Sequence, residues 1–207
     1  MIEDALVAAA REVLLGGGVA VIPTDTVYGL AAALDEPAGV EALYRMKGRL
    51  RSQPCQVLLF DPDELAAAFA GMPPGAAYAA RALLPGPVTC IVPDSHGRFA
   101  PAAGDRPGSV GLRAPRGPGA LAGLGLPLIA TSANAAGEPP PGSMAGVDAA
   151  LRAGADIVID DGPLPGTSSA VVDLLGIDDG DPAALVRPGP DPEAVRAALS
   201  GSGVDLL

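Results

Sequence analysis

Eight short apolar runs limit what this chain can fold into: residues 19–22, 56–60, 88–92, 110–113, 128–130, 157–159, 170–174 and 185–187. At three to five residues each they have the length of buried strands, and Gly18 and Pro23 bound the first of them. Apolar residues at helical spacing lie between some of the runs, over 3–15, 38–47, 63–70, 75–84, 144–153 and 191–199. Other runs are separated only by loops. Parallel neighbours need a long crossover, usually a helix, so a purely parallel sheet does not fit and the chain reads as α/β with a mixed sheet.

A length of 207 residues suits one domain, expected to span 1–207 with frayed ends at 1–4 and 200–207. Gly 28 and Pro 23 approach low complexity, but Leu, Val, Ile and Phe fill 52 positions, which is above the range of disordered chains. Thirteen Lys and Arg against 24 Asp and Glu give a net charge of −11, which argues against a direct, broad grip on RNA or DNA. Cys55 and Cys90 form no Cys-x-x-Cys pair, and Met1-Ile2-Glu3-Asp4 lacks the positive start of a secretory signal. A reducing cytoplasm is the expected compartment. The longest charge-free run, Gly117–Gly137, is interrupted by Pro118, Pro127 and several glycines, and reads as loop, buried strand and loop rather than a membrane span.

The only histidine, His96, lies in an Asp-Ser-His-Gly-Arg stretch that reads as a surface turn. Histidine-based triads and metal sites are thereby excluded, and no protein-held metal is expected. The phosphate-binding Gly-x-x-x-x-Gly-Lys-Ser/Thr loop is absent, and Gly16-Gly17-Gly18 does not continue into a dinucleotide fingerprint.

Rare polar residues carry more information. Arg occurs 12 times but Lys once, as Lys47; Asn occurs once, as Asn134; the five Thr are Thr24, Thr26, Thr89, Thr131 and Thr167. All seven sit in or beside segments that follow strands, where α/β folds bind ligands. Lys47-Gly-Arg49-Leu-Arg51 is either a helix end favoured by the macrodipole or an anion clamp able to neutralise phosphate oxygens. Pro23-Thr-Asp-Thr-Val-Tyr-Gly-Leu30 and Thr131-Ser-Ala-Asn134 combine hydroxyls, a carboxylate and an amide. They serve equally as self-capped turns or as neutral hydrogen-bonding surfaces for a nucleotide or amino acid.

These segments join Leu84-Pro-Gly-Pro-Val-Thr89, Val110-Gly-Leu-Arg113-Ala-Pro115, Gly166-Thr-Ser-Ser-Ala-Val-Val-Asp173 and Val186-Arg187-Pro-Gly189 in one fixed order. In that order and spacing the chain resembles YrdC-type L-threonylcarbamoyladenylate synthases, from about residue 5 to 199. The resemblance implies a twisted mixed sheet flanked by helices, with a ligand cavity on its concave side, in the single-domain form of the family. It implies condensation of L-threonine, bicarbonate and ATP to threonylcarbamoyl-AMP and pyrophosphate. That product would serve a tRNA threonylcarbamoyl transferase complex that modifies adenosine-37.

By the same resemblance, Arg49, Gln53, Thr89, Ser132, Ala133 (through its backbone), Asn134 and Arg187 would hold ATP, with Lys47 beside its phosphates. Lys47 and Arg49 would carry catalysis. Thr24, Thr26, Arg113, Thr131 and Ser169 would hold L-threonine, Arg113 pairing with its carboxylate. The sequence departs from the family pattern at Leu50, Gln53, Leu58 and Ala170. The chemistry is consistent: a carbamate oxygen attacking the α-phosphate needs positioning and charge neutralisation more than a general base. Mg²⁺ is expected with ATP, mainly on phosphate oxygens and water. The alternative is a paralogue that binds a nucleotide or RNA without this turnover.

Overall fold

A computed structural model describes residues 2–117 and 119–207, so Met1 at the expected frayed start and Pro118 in the charge-free run lie outside it. The strands are β1 Val19–Ile22, β2 Gly29–Ala33, β3 Gln56–Leu58, β4 Val88–Pro93, β5 Ser109–Arg113, β6 Leu128–Ser132, β7 Ile157–Val158, β8 Ala170–Asp173 and β9 Ala184–Arg187. The helices are α1 Asp4–Leu15, α2 Pro37–Lys47, α3 Pro62–Ala70, α4 Pro74–Leu83, α5 Ala149–Gly154 and α6 Pro192–Gly201. Among the described residues the strands form one sheet in the order β7-β1-β2-β6-β3-β5-β4-β8-β9. Parallel pairs (β1 with β7, β3 with β5, β4 with β8) are interspersed with antiparallel ones, as the loop-only connections require.

Helix boundaries follow local chemistry. Asp61 and Asp191 accept from the backbone N–H groups of Asp63 and Ala194, both at 2.9 Å, and Pro62 and Pro192 fill the first helical positions, where no N–H partner is needed. α2 stops at Gly48, whose φ of 63° is the left-handed conformation that lets the chain turn away. That turn sends Arg49 back toward the sheet.

Period-two alternation decides what each strand face does. α2, α3, α4 and α6 cover one face with Val40, Leu43, Phe69, Ala80, Leu83, Val195 and Leu199, packed on Val57, Cys90, Leu112 and Val172. α1 and the 3₁₀ segment Gly119–Leu124 cover the other face over β1, β2, β6 and the Leu58 end of β3, through Leu14, Leu121 and Leu124 on Ala20, Ile22, Ala31, Leu58 and Leu128. Among the described residues, the second face of β5, β4, β8 and the Gln56 end of β3 has no helix packed on it.

Four expectations need correction. The eight apolar runs leave out β2, which lies between β1 and β6 in the sheet. Its Gly-Leu-Ala-Ala-Ala sequence is buried on both faces, so it shows no alternation, and alanine has little intrinsic preference for strands. The helix expected over 144–153 is a 3₁₀ turn, Met144–Gly146, followed by α5, because the Asp148 side chain caps a fresh start by accepting from the N–H groups of Ala150 and Leu151. The terminus at 200–207 is tied down: Ala183 N–H donates to Asp205 O and Leu207 N–H to Ala183 O, at 2.8 and 2.9 Å. At the other end α1 already begins at Asp4 and Ile2 is buried. No helix among the described residues is long and apolar enough to cross a membrane.

Candidate active site

The uncovered face is floored by alternate residues of the strands, Gln56 and Leu58 on β3, Thr89 and Ile91 on β4, Gly111 and Arg113 on β5 and Val171 on β8, and it bounds a cavity of about 320 Å³. A Cβ on Gly111 would stand 3.3 Å from the Thr89 methyl, so glycine there keeps the floor low enough for a ligand to approach the backbone. The walls add Thr24, Arg49, Cys55, Arg106, Ser109, Thr131, Ser132, Ser168, Ser169 and Arg187. Among the described residues no Asp or Glu is part of this lining. Four guanidinium groups therefore share one cavity in a chain of net charge −11.

Arg113 is the most constrained of the four. Its side chain is 2% exposed, and its Nη2 donates to Asp25 Oδ1 at 2.5 Å, Thr26 Oγ1 at 2.6 Å and Thr24 Oγ1 at 3.3 Å. Burial lowers its pKa and the Asp25 carboxylate opposes that shift. Arg113 Nε is buried with no hydrogen-bond partner among the described residues. An orphaned buried donor costs roughly 1–3 kcal/mol, a cost that an incoming carboxylate would remove.

Thr24 holds this corner rigid. Its Oγ1 accepts from the N–H groups of Thr26 and Val27 and donates to Val27 O at 2.7 Å, so the Pro-Thr-Asp-Thr segment is at once a capped turn and a ligand wall. The next residue but one, Tyr28, is fully buried and binds three loops. Its N–H reaches Pro141 O, its carbonyl accepts from Ala133 N–H, and its hydroxyl bonds Asp160 Oδ1 at 2.7 Å. Burial pushes the Tyr28 hydroxyl up to about 12, and its hydrogen bond holds Asp160 below the usual carboxylate value.

On the opposite wall Arg49 Nη1 donates to Thr131 Oγ1 at 3.1 Å and Nη2 to Pro54 O at 3.3 Å. Arg187 donates to Ser169 through Nε (to O, 2.8 Å) and Nη2 (to Oγ, 3.2 Å), and burial lowers its pKa. Ser169 Oγ in turn lies 3.0 Å from Thr89 Oγ1, which donates to Gln56 Oε1 at 3.1 Å. Gly189 makes this junction possible: at φ +69° a Cβ would fall 2.3 Å from Ala170 N, so only glycine lets the segment after Arg187 lie against β8.

The Lys47 ammonium is elsewhere. It does not line the cavity but donates to Ser132 O at 2.6 Å, to Asn134 O, and to Asn134 Oδ1 at 2.8 Å, which uses all three of its N–H groups. Asn134 Oδ1 also accepts from Ser132 Oγ, and its amide nitrogen donates to Glu138 O. The single lysine and the single asparagine of the chain thus hold each other and shape the Thr131–Asn134 loop. Burial, reinforced by Arg49, lowers the Lys47 pKa to about 8.

Of the residues singled out in the sequence, Arg49, Thr89, Ser132, Arg187, Thr24, Arg113, Thr131 and Ser169 line the cavity. Thr26 does not line it but bonds two residues that do, Arg113 and Thr24. Four more of the expected residues lie off this cavity lining. Ala133 is outside the lining; its N–H donates to Tyr28 O and its carbonyl accepts from Asp148 N–H. Gln53 is exposed and off the cavity, its Oε1 accepting from Leu50 N–H at 3.3 Å. Lys47 and Asn134 face one another rather than the cavity. Sequence reasoning missed Gln56, Ser109, Ser168 and Arg106. The period-two phase of β3 pointed to Gln56; Arg106, in an Asp-Arg-Pro-Gly loop, carried no signal.

With the geometry in view, the similarities are specific. The Sua5/YciO/YrdC family model, described as "Telomere recombination", matches residues 12–189. A Mycobacterium tuberculosis protein provisionally named threonylcarbamoyl-AMP synthase is 34% identical over 181 residues, 84% of this chain and 79% of its own. Threonylcarbamoyl-AMP synthase of Bacillus subtilis is 31% identical over 208 residues, 98% of this chain and 59% of its own. The crystal structure of Pyrococcus abyssi Sua5 complexed with L-threonine superposes with a TM-score of 0.82 at 28% identity, covering all of this chain and 60% of that one. The chain thus spans less than two thirds of the length of these last two relatives.

Proposed function

Because the chain belongs to the Sua5/YciO/YrdC family, we propose that it is a threonylcarbamoyl-AMP synthase, a nucleotidyltransferase acting on L-threonine, bicarbonate and ATP. The observation that carries this reading is the pairing, in one cavity, of a carboxylate-seeking Arg113 with the phosphate-seeking Arg49 and Arg187. In the first step the threonine amine adds to bicarbonate and water leaves, giving a carbamate. Its oxygen then forms a bond to the α-phosphorus as the bond to pyrophosphate breaks. No side chain needs to take a proton at the phosphoryl step. The site's task is to align two anions and offset their charge, which positioned guanidinium groups do at fixed geometry.

Arg113 would take the threonine carboxylate through its vacant Nε–H, with Thr24 and Thr131 nearby for the hydroxyl. Arg49 and Arg187 would take the α-phosphate oxygens, Thr89 the nucleotide, and Ser169 would face the L-threonine. Lys47 acts one step removed, as a positioning residue that sets the Thr131–Asn134 wall. The cavity offers hydroxyls and the Gln56 amide but no carboxylate, a donor set suited to a hydrated Mg²⁺ riding on phosphate oxygens. When bound, that ion would lower the charge on the leaving pyrophosphate. The product would pass to a tRNA threonylcarbamoyl transferase complex in the cytoplasm.

The test is pyrophosphate release by the purified protein with Mg-ATP, omitting L-threonine or bicarbonate in turn. Release that needs both is expected; release indifferent to threonine would refute the reading.

A further inference from the structure

We infer that Arg106 is a further substrate-binding residue, one that grips the β,γ-phosphate end of ATP and the pyrophosphate it becomes. The inference rests on the synthase reading above for the identity of the polyanion, and on three independent observations for the residue.

Arg106 lines the same cavity as Arg49, Arg113 and Arg187, yet it differs from them in pairing. Arg113 is tied to Asp25, Arg49 to Thr131 and Pro54, and Arg187 to Ser169. The Arg106 side chain makes no hydrogen bond or ion pair among the described residues, and the residue is exposed. An exposed arginine without a partner is common on protein surfaces. One held over a cavity that has no acidic lining is a charge placed for a ligand.

Its backbone, unlike its side chain, is fixed. Asp105 N–H donates to Ser52 O and Cys55 N–H donates to Ala102 O, both at 2.9 Å, so the loop before Arg106 is laced to the segment that follows Arg49. Gly104 at φ +62° allows that lacing, since a Cβ there would lie 2.5 Å from Ser52 O. Arg106 N–H then bonds Ala103 O at 3.1 Å, closing the turn. Arg49 and Arg106 therefore stand on two segments strapped together by backbone hydrogen bonds.

The charge balance gives the ligand. The four cavity arginines carry +4 and Asp25, paired with Arg113, carries −1, leaving +3 before substrate enters. Threonine's carboxylate claims Arg113 and the α-phosphate claims Arg49 and Arg187. The remaining guanidinium, at the exposed rim, faces the remaining charge, which is the polyphosphate tail.

The experiment measures binding of inorganic pyrophosphate by calorimetry to the wild-type chain, to Arg106→Ala, and to Arg196→Ala as an exposed-arginine control on α6. Roughly ten-fold weaker pyrophosphate binding is expected for Arg106→Ala alone, the factor that corresponds to ~1.4 kcal/mol, with AMP binding and melting temperature unchanged. In turnover the same variant should raise the KM for ATP but not for L-threonine. Pyrophosphate binding equal to wild type, or an equal loss in Arg196→Ala, would overturn the assignment. Selective loss of pyrophosphate binding in a protein that makes no threonylcarbamoyl-AMP would uphold Arg106 and refute the synthase reading instead.

Discussion

Lys47 is held by three oxygens of one loop, Ser132 O, Asn134 O and Asn134 Oδ1. Its rarity marked it in the sequence, as it did Asn134, but composition could not reveal that the two bind each other. Their mutual hydrogen bonds make the lysine a loop staple, and its lowered pKa, about 8 against an ordinary 10.5, has two consequences. Between those values the unfolded chain holds more protons than the folded one, so the Lys47 contribution makes stability rise with pH across that window; below about 8 the cost of burying the charge is fully present. For catalysis the staple weakens as the ammonium loses its proton. The kcat/KM for ATP should therefore fall above about pH 8 in the wild type, and Lys47→Arg should shift that alkaline limb upward. A profile flat to pH 9.5 would exclude the role.

Asp25 is the second residue-scale test. Because it balances a side chain only 2% exposed, Asp25→Ala should destabilise the fold by ~3–5 kcal/mol, the usual cost of leaving a buried charge alone. Saturating L-threonine should recover part of the lost melting temperature, since its carboxylate replaces the missing partner. A variant as stable as wild type would mean that Arg113 finds water there.

At the scale of elements, the strands that build the cavity were more legible than the one that completes the sheet. In β4 the order Val-Thr-Cys-Ile-Val sends Val88, Cys90 and Val92 to the core, while Thr89 and Ile91 line the cavity. A single polar residue in an apolar run was the readable sign of a strand with one working face. β2 gave no such sign, because burial on both faces erases alternation. The two faces can be separated experimentally. Thr89→Val should weaken ATP binding at a cost of ~1 kcal/mol for the lost hydrogen bonds to Gln56 and Ser169, whereas Cys90→Ser, which buries a hydroxyl, should cost ~1–3 kcal/mol with substrate affinity intact. Between elements, Gly189→Ala should destabilise by at least ~1 kcal/mol and lower activity, because the new Cβ meets the Ala170 backbone beside Ser169 and Arg187. Denaturant melts and ATP titrations of the three variants check each expectation.

Across the whole molecule, function depends on a local reversal of charge. An acidic exterior repels polyanions, which is why an RNA-binding role fits poorly, while on the proposed function the arginine-lined cavity would draw in one polyphosphate. The cavity itself was not legible in the sequence. It arises because α1 and the Gly119–Leu124 segment cover only half of one sheet face, and the helices assigned from periodicity carried no information about which face they would leave bare. The ordered motifs conveyed the outcome of that arrangement without its cause. The most direct measurement is mass spectrometry of the products formed from Mg-ATP, L-threonine and ¹³C-bicarbonate by the purified chain. The account predicts an adenylate that carries both the threonine and the labelled carbon, formed in step with pyrophosphate; AMP or ADP without that adduct would contradict it.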